Sequence, residues 1–333
     1  MKFILTLNIG SSSVKLNLYD QEVKEVKNMN FLHENDFTSL KNKIQNFIQN
    51  LDVKKIIACH RVVHGGEMFT EKTFVNKSVL EKLKTLTPLA PLHEPYNIKG
   101  IELCKEIGIT ENYAFFDTQT FSHIPTDNKL FSVPFKKYHK FGFHGLNHAY
   151  ILETIQKQKK QNKLNGVIVH LGNGCSLSQV IKGKFTDTTM AYTPLAGTIM
   201  FSRSGDMDPG IVIELCKEFG IEETSTILNK KSGIKAIYKD AKNIKEVFDK
   251  RKNCKEANLA IEIFKNSIIK YLSYYLCVLP KVDFISFSGG VSENNHPFIQ
   301  EIIDSIPLLK EKLPIHQIIK GNESIYMASQ IKI

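Results

Sequence analysis

The sequence predicts an α/β architecture built twice along one chain, and three observations predict it. An apolar strand, Phe3 to Leu7, runs into the turn Asn8-Ile9-Gly10-Ser11-Ser12-Ser13, then into a strand in which Val14, Leu16 and Leu18 alternate with Lys15, Asn17 and Tyr19. About 160 residues later the same grammar returns. Val167 to His170 leads into Gly172-Asn173-Gly174-Cys175-Ser176, and the next strand ends at the turn Lys182-Gly183-Lys184. A third buried strand, Phe284 to Phe287, ends in Ser288-Gly289-Gly290. Strand pairs separated by helical stretches mark an α/β fold.

The helices follow from spacing and punctuation. Leu40, Ile44, Phe47, Ile48 and Leu51 keep helical spacing after Thr38-Ser39. Asp208-Pro209 opens a second helix that closes at Phe219-Gly220, with a cap candidate before it, proline in the first turn and glycine after the end. Residues 256–279 read as a long buried helix. The 333 residues suggest two domains, since a domain averages roughly 150 residues. No Pro-rich linker separates them, so the boundary is a short crossing near residue 145, giving domains 1–145 and 146–318.

Composition narrows the function. With 42% hydrophobic and 23% charged residues the chain is an ordinary globular protein. The first residues, MKFILTL, break at Asn8-Ile9-Gly10 without a small-residue cleavage site and read as a strand, not a signal peptide. The stretch Ile268 to Leu279 is too short and too interrupted to span a bilayer. Six scattered cysteines never form C-x-x-C, which argues against a zinc site or a disulfide framework and fits a reducing, cytoplasmic compartment. Net charge is +10, yet the densest basic run, Lys157 to Lys163, has no aromatic residue for base stacking and reads as a solvated loop. Nucleic acid and membrane are therefore not expected partners. Only three of the 44 basic residues are arginine (Arg61, Arg203 and Arg251), which directs attention to sites where a rigid bidentate fork matters.

Several segments carry candidate chemistry. Asn8 to Lys15, with Ser11 and Ser13, offers a glycine turn, hydroxyls and a lysine to phosphate oxygens; it does not match the P-loop pattern. A serine-rich hairpin turn is an equally good reading of that segment alone. Gly172-Asn173-Gly174 and Gly289-Gly290 are further glycine turns directly after apolar strands, and three together suit a nucleotide-phosphate cradle. In His60-Arg61-Val62-Val63-His64-Gly65-Gly66 an arginine at a strand end can grip a carboxylate or phosphoryl group, or simply pair with an acidic neighbour. Asp117 ends the apolar run Phe115-Phe116 and is either functional or a turn aspartate. His144 stands between Gly142-Phe143 and Gly145, just before a helix beginning near Asn147. Arg203 precedes another helix start, which Asp206 or Asp208 caps.

Together these segments resemble the acetate kinase family, within the sugar kinase, Hsp70 and actin superfamily. The resemblance rests on N-x-G-S-S-S-x-K at 8–15, HRVVHGGE at 60–67, APLHEP at 90–95, FDT at 116–118 and GFHG…H at 142–148. It continues through HLGNG at 170–174, TPL at 193–195, RSGDMDP at 203–209, KSG at 231–233, SGGVSEN at 288–294 and Asn322-Glu323. It implies two duplicated ribonuclease-H-like domains with a central cleft, residues 319–333 packing back on the first, and a homodimer. The implied activity is reversible phosphoryl transfer from ATP to acetate, giving acetyl phosphate and ADP, with Mg²⁺ or alternatively Mn²⁺. Arg61 and Arg203 would flank the transferring group, and His144 would donate to its equatorial oxygens. Asp117 is the implied acid/base residue, although a carboxylate acceptor with an ordinary pKa of ~4–5 is already ionised and favours an orienting role. Asn8 and Glu323 would hold the metal. Lys15, Ser11, Ser13, His170, Leu171, Gly172, Asn173, Gly174, Asp240, Gly289 and Gly290 would contact the nucleotide. Val63, Leu92, Phe143 and Pro194 would line the pocket for the acetate methyl group.

The chain also departs from the family pattern. It is shorter, mainly between Tyr19 and Ile56 and between Ser292 and Asn322. Ala196 stands where an acid is usual, and Phe201-Ser202 where Gly-Thr is usual. The adenosine-contacting stretch is cut to Ile237 through Lys242, which leaves GTP or pyrophosphate as alternative donors. Propionate is the alternative acceptor, and a nucleotide-binding protein without turnover is the alternative class.

Overall fold

The computed structural model describes residues 1–10, 13–32, 36–91, 93–307, 309 and 316–332. Two units emerge, one formed by residues 1–122, 144–150 and 322–333, the other by residues 123–143 and 151–321. The first unit holds a six-stranded sheet in the order β3-β2-β1-β4-β6-β5. Its strands are β1 (Phe3–Ile9), β2 (Ser13–Tyr19), β3 (Glu25–Leu32), β4 (Ile56–Val62), β5 (Thr73–Phe74) and β6 (Glu111–Phe116). Strands β1, β2 and β3 form an antiparallel meander, while β4 and β6 run parallel to β1. The near-continuous apolar runs of β1 and β4 suit this arrangement, because central parallel strands bury both faces.

The first five helices are α1 (Phe37–Phe47), α2 (Lys77–Thr85), α3 (Glu94–Ile107), the one-turn α4 (Thr126–Lys129), which belongs to the second unit, and α5 (Gly145–Lys159). Asp36 caps α1 by accepting from the N–H groups of Thr38 and Ser39, so the helix starts just before the Thr38-Ser39 pair. On one face Leu40 and Ile44 of α1 and Leu103 of α3 pack against Leu5, Leu7 and Leu16. On the opposite face Ile4, Tyr19, Ile57 and Phe115 meet Leu146 of α5 and Met327 of the C-terminal helix Glu323–Ser329. This second layer corrects the expected alternation in β2. Asn17 and Tyr19 are as buried as their apolar neighbours, because both faces of the strand are covered.

The second unit repeats the pattern in a five-stranded sheet, β11-β10-β7-β8-β9. Its strands are β7 (Gly166–Leu171), β8 (Cys175–Ile181), β9 (Lys184–Thr188), β10 (Phe284–Ser288) and β11 (His316–Ile318). Again the first three form an antiparallel meander and the later two run parallel to the first. A meander followed by parallel neighbours, present in both sheets, makes this a duplicated ribonuclease-H-like fold.

Helix α6 (Pro209–Thr226) is capped by Asp208, which accepts from Gly210, and it kinks at Gly220, where the first helical stretch was expected to end. The short helices α7 (Ile234–Ile237) and α8 (Ile244–Lys250) lead to α9 (Lys255–Val278). Ala257, Ile261, Phe264, Ile268 and Leu272 of α9 lie buried at three- and four-residue spacing. Helices α10 (Gly290–Asn294) and α11 (His296–Asp304) follow β10. Among the described residues no helix is long and apolar enough to cross a membrane.

The C-terminal helix is held chiefly by Met327, which is fully buried beside Ile4 and Tyr19. Met327→Ala is expected to destabilise the first unit by roughly 2–5 kcal/mol, the range for a core methionine truncated to alanine. Urea unfolding checks this, with an unchanged midpoint as the contrary result.

Candidate active site

In the first unit the carboxyl ends of the parallel strands β4 and β6 carry opposite charges. Arg61 lies near the end of β4 and Asp117 follows β6 directly. They form a bidentate pair, with Nε donating to Oδ1 at 3.0 Å and Nη2 to Oδ2 at 2.7 Å. Glu323, first residue of the C-terminal helix, stands 3.9 Å from Nη1. Burial works against the Arg61 charge, but the two carboxylates outweigh it and hold its pKa above the ordinary value.

His144 joins this cluster through its backbone. The Gly145 N–H donates to the Asp117 carbonyl at 3.1 Å, and a Cβ on Gly145 would sit 2.0 Å from that oxygen, so only glycine fits. His144 itself takes a left-handed backbone with φ 57°, a strained conformation for a non-glycine residue and one that clusters at functional sites. The other histidines of the motif are structural. His60 is buried against Asn112, 2.9 Å from its amide oxygen, and burial lowers its pKa to about 4. His64 accepts the Gly66 N–H at Nδ1, 2.8 Å away.

Behind these strand ends lies the first turn of α3. Asn97 accepts the Val63 N–H at 3.0 Å and donates to the Ile9 carbonyl at 2.8 Å. Glu94 accepts the His64 N–H at 3.3 Å and is wholly buried, with Oε1 lacking a hydrogen-bond partner. Burial pushes its pKa up to about 8, so it is neutral at pH 7. Strand β1 ends alongside, with Asn8 half-buried and Gly10 turning onto the Ser13 carbonyl at 2.9 Å. Asn8, Ser13 and Lys15 line one open cavity of about 530 Å³, together with Asn30 and Phe31 of β3. Ser11 and Leu92 lie outside the described residues.

The second unit supplies a separate set. His170, at the end of β7, sits 3.3 Å from Ser288 Oγ on the parallel neighbour β10, which brings Gly172-Asn173-Gly174 and Gly289-Gly290 to the same end of the sheet. Gly289 has φ 87°, and a Cβ there would lie 2.5 Å from the Leu171 carbonyl. Gly290 faces open space, leaving its backbone accessible to a ligand.

Arg203 is held by weak contacts, 3.5 Å to the Pro194 carbonyl and 3.7 Å to Met200 Sδ. Among the described residues no carboxylate pairs with it. Burial lowers its pKa, offset in part by nearby Cys175. Its loop is fastened by the KSG segment. Ser232, Ile234 and Lys235 donate backbone N–H groups to the carbonyls of Ser202, Met200 and Phe201 at 3.1, 3.0 and 2.8 Å. Asp206 caps no helix; it accepts the Gly197 N–H at 2.7 Å and ties the TPL loop to the arginine loop.

Arg61, Asp117, His144 and Glu323 thus fall together in the first unit, and His170, Leu171, Gly172, Gly174, Gly289 and Gly290 in the second. Val63 belongs to the first unit, Phe143 and Pro194 to the second, and Asp240 lies in an exposed turn after α7. Sequence reading missed the bracing by Glu94 and Asn97. Their three-residue spacing at a helix start, just after a proline-marked loop, was the available signal.

Strand-end glycine turns and arginines on a duplicated ribonuclease-H-like scaffold define a phosphotransferase of the actin-like superfamily. The acetokinase family model matches residues 31–320. An acetate kinase of Clostridium novyi (strain NT) is 37% identical over 321 residues, covering 93% of this chain and 78% of its own. One of Campylobacter jejuni (strain RM1221) is 34% identical over 374 residues, covering 99% and 94%. The crystal structure of a propionate kinase from Francisella tularensis subsp. tularensis SCHU S4 superposes with a TM-score of 0.90 at 31% identity, covering 99% of both chains. The chain belongs to the acetokinase family.

The raised pKa of Glu94 has a stability consequence with a definite sign. The neutral form's contribution is complete below the ordinary carboxyl pKa near 4.5 and is lost as pH rises to about 8. Glu94→Gln, neutral throughout, should gain on the parent by about 1.4 kcal/mol per pH unit across that window and then level off. Thermal melts from pH 5 to 9 test it; parallel curves for the two proteins would place the Glu94 pKa in the ordinary range.

Proposed function

We propose that this protein is an acetate kinase, transferring the γ-phosphoryl group of ATP to acetate and running the reverse reaction from acetyl phosphate and ADP. The observation that carries the reading is Arg203, a partly buried guanidinium without a carboxylate partner among the described residues. A partly desolvated cation favours an anion, and a phosphoryl group meets that need with bidentate geometry.

The chemistry is in-line displacement. An acetate oxygen forms a bond to the γ-phosphorus as the bond to the bridging oxygen breaks, and ADP leaves with the electron pair. Acetate is ionised at neutral pH, so no proton has to be removed. Charge gathers on three equatorial oxygens, and Arg203, Arg61 and His144 are the positive and hydrogen-bonding complement. Asp117 acts by orientation. Its two oxygens are engaged by Arg61, which fixes the plane of the fork. Val63, Leu92, Phe143 and Pro194 receive the methyl group. The glycine turns of the second unit, with His170, Asn173 and Asp240, bind the nucleotide, and the family resemblance assigns Ser11, Ser13 and Lys15 to its phosphates.

Asn8 and Glu323 fit Mg²⁺ by donor type, since an amide oxygen and one carboxylate are hard ligands and Mg²⁺ keeps most of its water. Among the described residues no cluster of three or more His, Cys, Asp or Glu side chains competes for a metal. When bound, the metal would neutralise phosphate charge. The protein works as a homodimer. Supporting this, Ile211, Ile213 and Ile221 of α6 and Leu259 of α9 are each at least half exposed, at 50, 57, 74 and 52%.

Purified protein with Mg²⁺, ATP and acetate should give acyl phosphate, trapped as hydroxamate, with less product from propionate and butyrate. Product only with GTP or pyrophosphate would reassign the donor, and silence with every donor and acid would favour a binding protein. Arg203→Ala should lower turnover by ~10³-fold or more while nucleotide affinity changes little. Equal losses in both would make it a binding residue. Asp117→Asn should keep most activity with a flat pH profile above pH 6, whereas a large loss of turnover together with loss of a pH-dependent limb seen in the parent would restore proton transfer.

A further inference from the structure

We infer that Asn97 is a positioning residue for the phosphoryl-transfer site, a two-sided strut that fixes the end of β1 against the end of β4. The inference rests on the kinase reading above for its catalytic consequence, and on geometry alone for the strut. Asn97 lies in the first turn of α3 and is only 4% exposed. Its amide oxygen takes the Val63 N–H at 3.0 Å, two residues beyond Arg61. Its amide nitrogen gives to the Ile9 carbonyl at 2.8 Å, next to Asn8 and the Gly10 turn. Both bonds go to backbone beyond the last pairing of β1 with β4, Leu7 with His60, although Ile9 is still paired with Val14 of β2 and Val62 with Phe116 of β6. There the β1–β4 ladder no longer sets the spacing, and a side chain does so instead.

A primary amide is suited to this task in a way its isosteres are not. The strut needs one acceptor and one donor on the same planar group, pointing in opposite directions. Aspartate keeps the acceptor for Val63 and sets a carboxylate oxygen against the Ile9 carbonyl. Alanine releases both. Gly100, one turn further along α3, keeps the helix close, since a Cβ there would meet Ile9 Cδ1 at 2.5 Å. The strut therefore works at fixed short range.

Because Asn97 touches neither substrate nor metal in this account, its removal should act on geometry. A displacement of about 1 Å is enough to reduce turnover by roughly a hundredfold. The test compares the full-length parent, Asn97→Ala and Asn97→Asp by hydrogen–deuterium exchange of the peptides 4–16, 56–69 and 94–107, with steady-state kinetics alongside. Alanine is expected to speed exchange in both strand-end peptides while 94–107 stays protected, with turnover down ten- to hundredfold and the ATP KM within threefold. Aspartate is expected to loosen 4–16 alone. Unchanged exchange at both strand ends, or loosening of 94–107 as much as of the others, in either variant would overturn the strut. If the parent itself makes no acyl phosphate, the kinase reading fails, and the exchange pattern still decides the strut. Should alanine prevent folding, the aspartate variant with its one-sided pattern carries the decision.

Discussion

Two parallel neighbours, β4 and β6, finish in an arginine and an aspartate, and the fork between them organises the first unit. Its members are 56 residues apart in sequence, so the pair cannot form before the sheet has been assembled. Once formed, it compensates a charge that burial alone would penalise by several kcal/mol. Neighbouring groups are placed relative to it. The Asp117 carbonyl receives Gly145, which sets the strained His144, and Glu323 approaches the free edge of the guanidinium. Replacing Arg61 would leave the Asp117 carboxylate buried and unmatched, a larger penalty than the pair's own net contribution.

The arginines near the two sets of strand-end turns are unlike each other. Arg61 is neutralised by protein carboxylates and its plane is fixed by them. Among the described residues Arg203 bonds to a carbonyl and a thioether, and burial works against its charge. In that setting an incoming anion relieves a desolvation cost that the folded protein carries. Binding and electrostatic stabilisation are then drawn from the same source, a preorganised group whose own solvation has been removed. Arg251 does neither, being locked to Glu262 and Glu301 on the surface of the second unit at 2.6 and 2.7 Å. Of the three arginines in this chain, two are thus fixed by carboxylates and one is not.

Much of this was legible in the sequence, for a reason that can be stated. The turns after β1, β7 and β10 are local features, written in contiguous glycines and hydroxyls after apolar runs, so reading along the chain finds them. The capping of α6 by Asp208 is equally local. What escaped was made of long-range geometry. Asn97 braces residues 34 and 88 positions away, and its spacing from Glu94 at a helix start marks a shared face without naming those partners. The burial of Asn17 and Tyr19 depended on a helix more than 300 residues downstream covering the second face of β2. Asp206 looked like a cap because a cap and a loop tie use the same acceptor chemistry, and only the position of Gly197 separates them.

That distant helix bears on how the protein is made. The sheet of the first unit is encoded early, yet the residues that cover Ile4 and Tyr19 emerge from the ribosome only after the entire second unit. Until then part of that apolar face is uncovered in the nascent chain, where α5 alone supplies Leu146, and such a face is a target for chaperones and proteases. A discontinuous domain of this kind completes its core only after translation has run past the second unit.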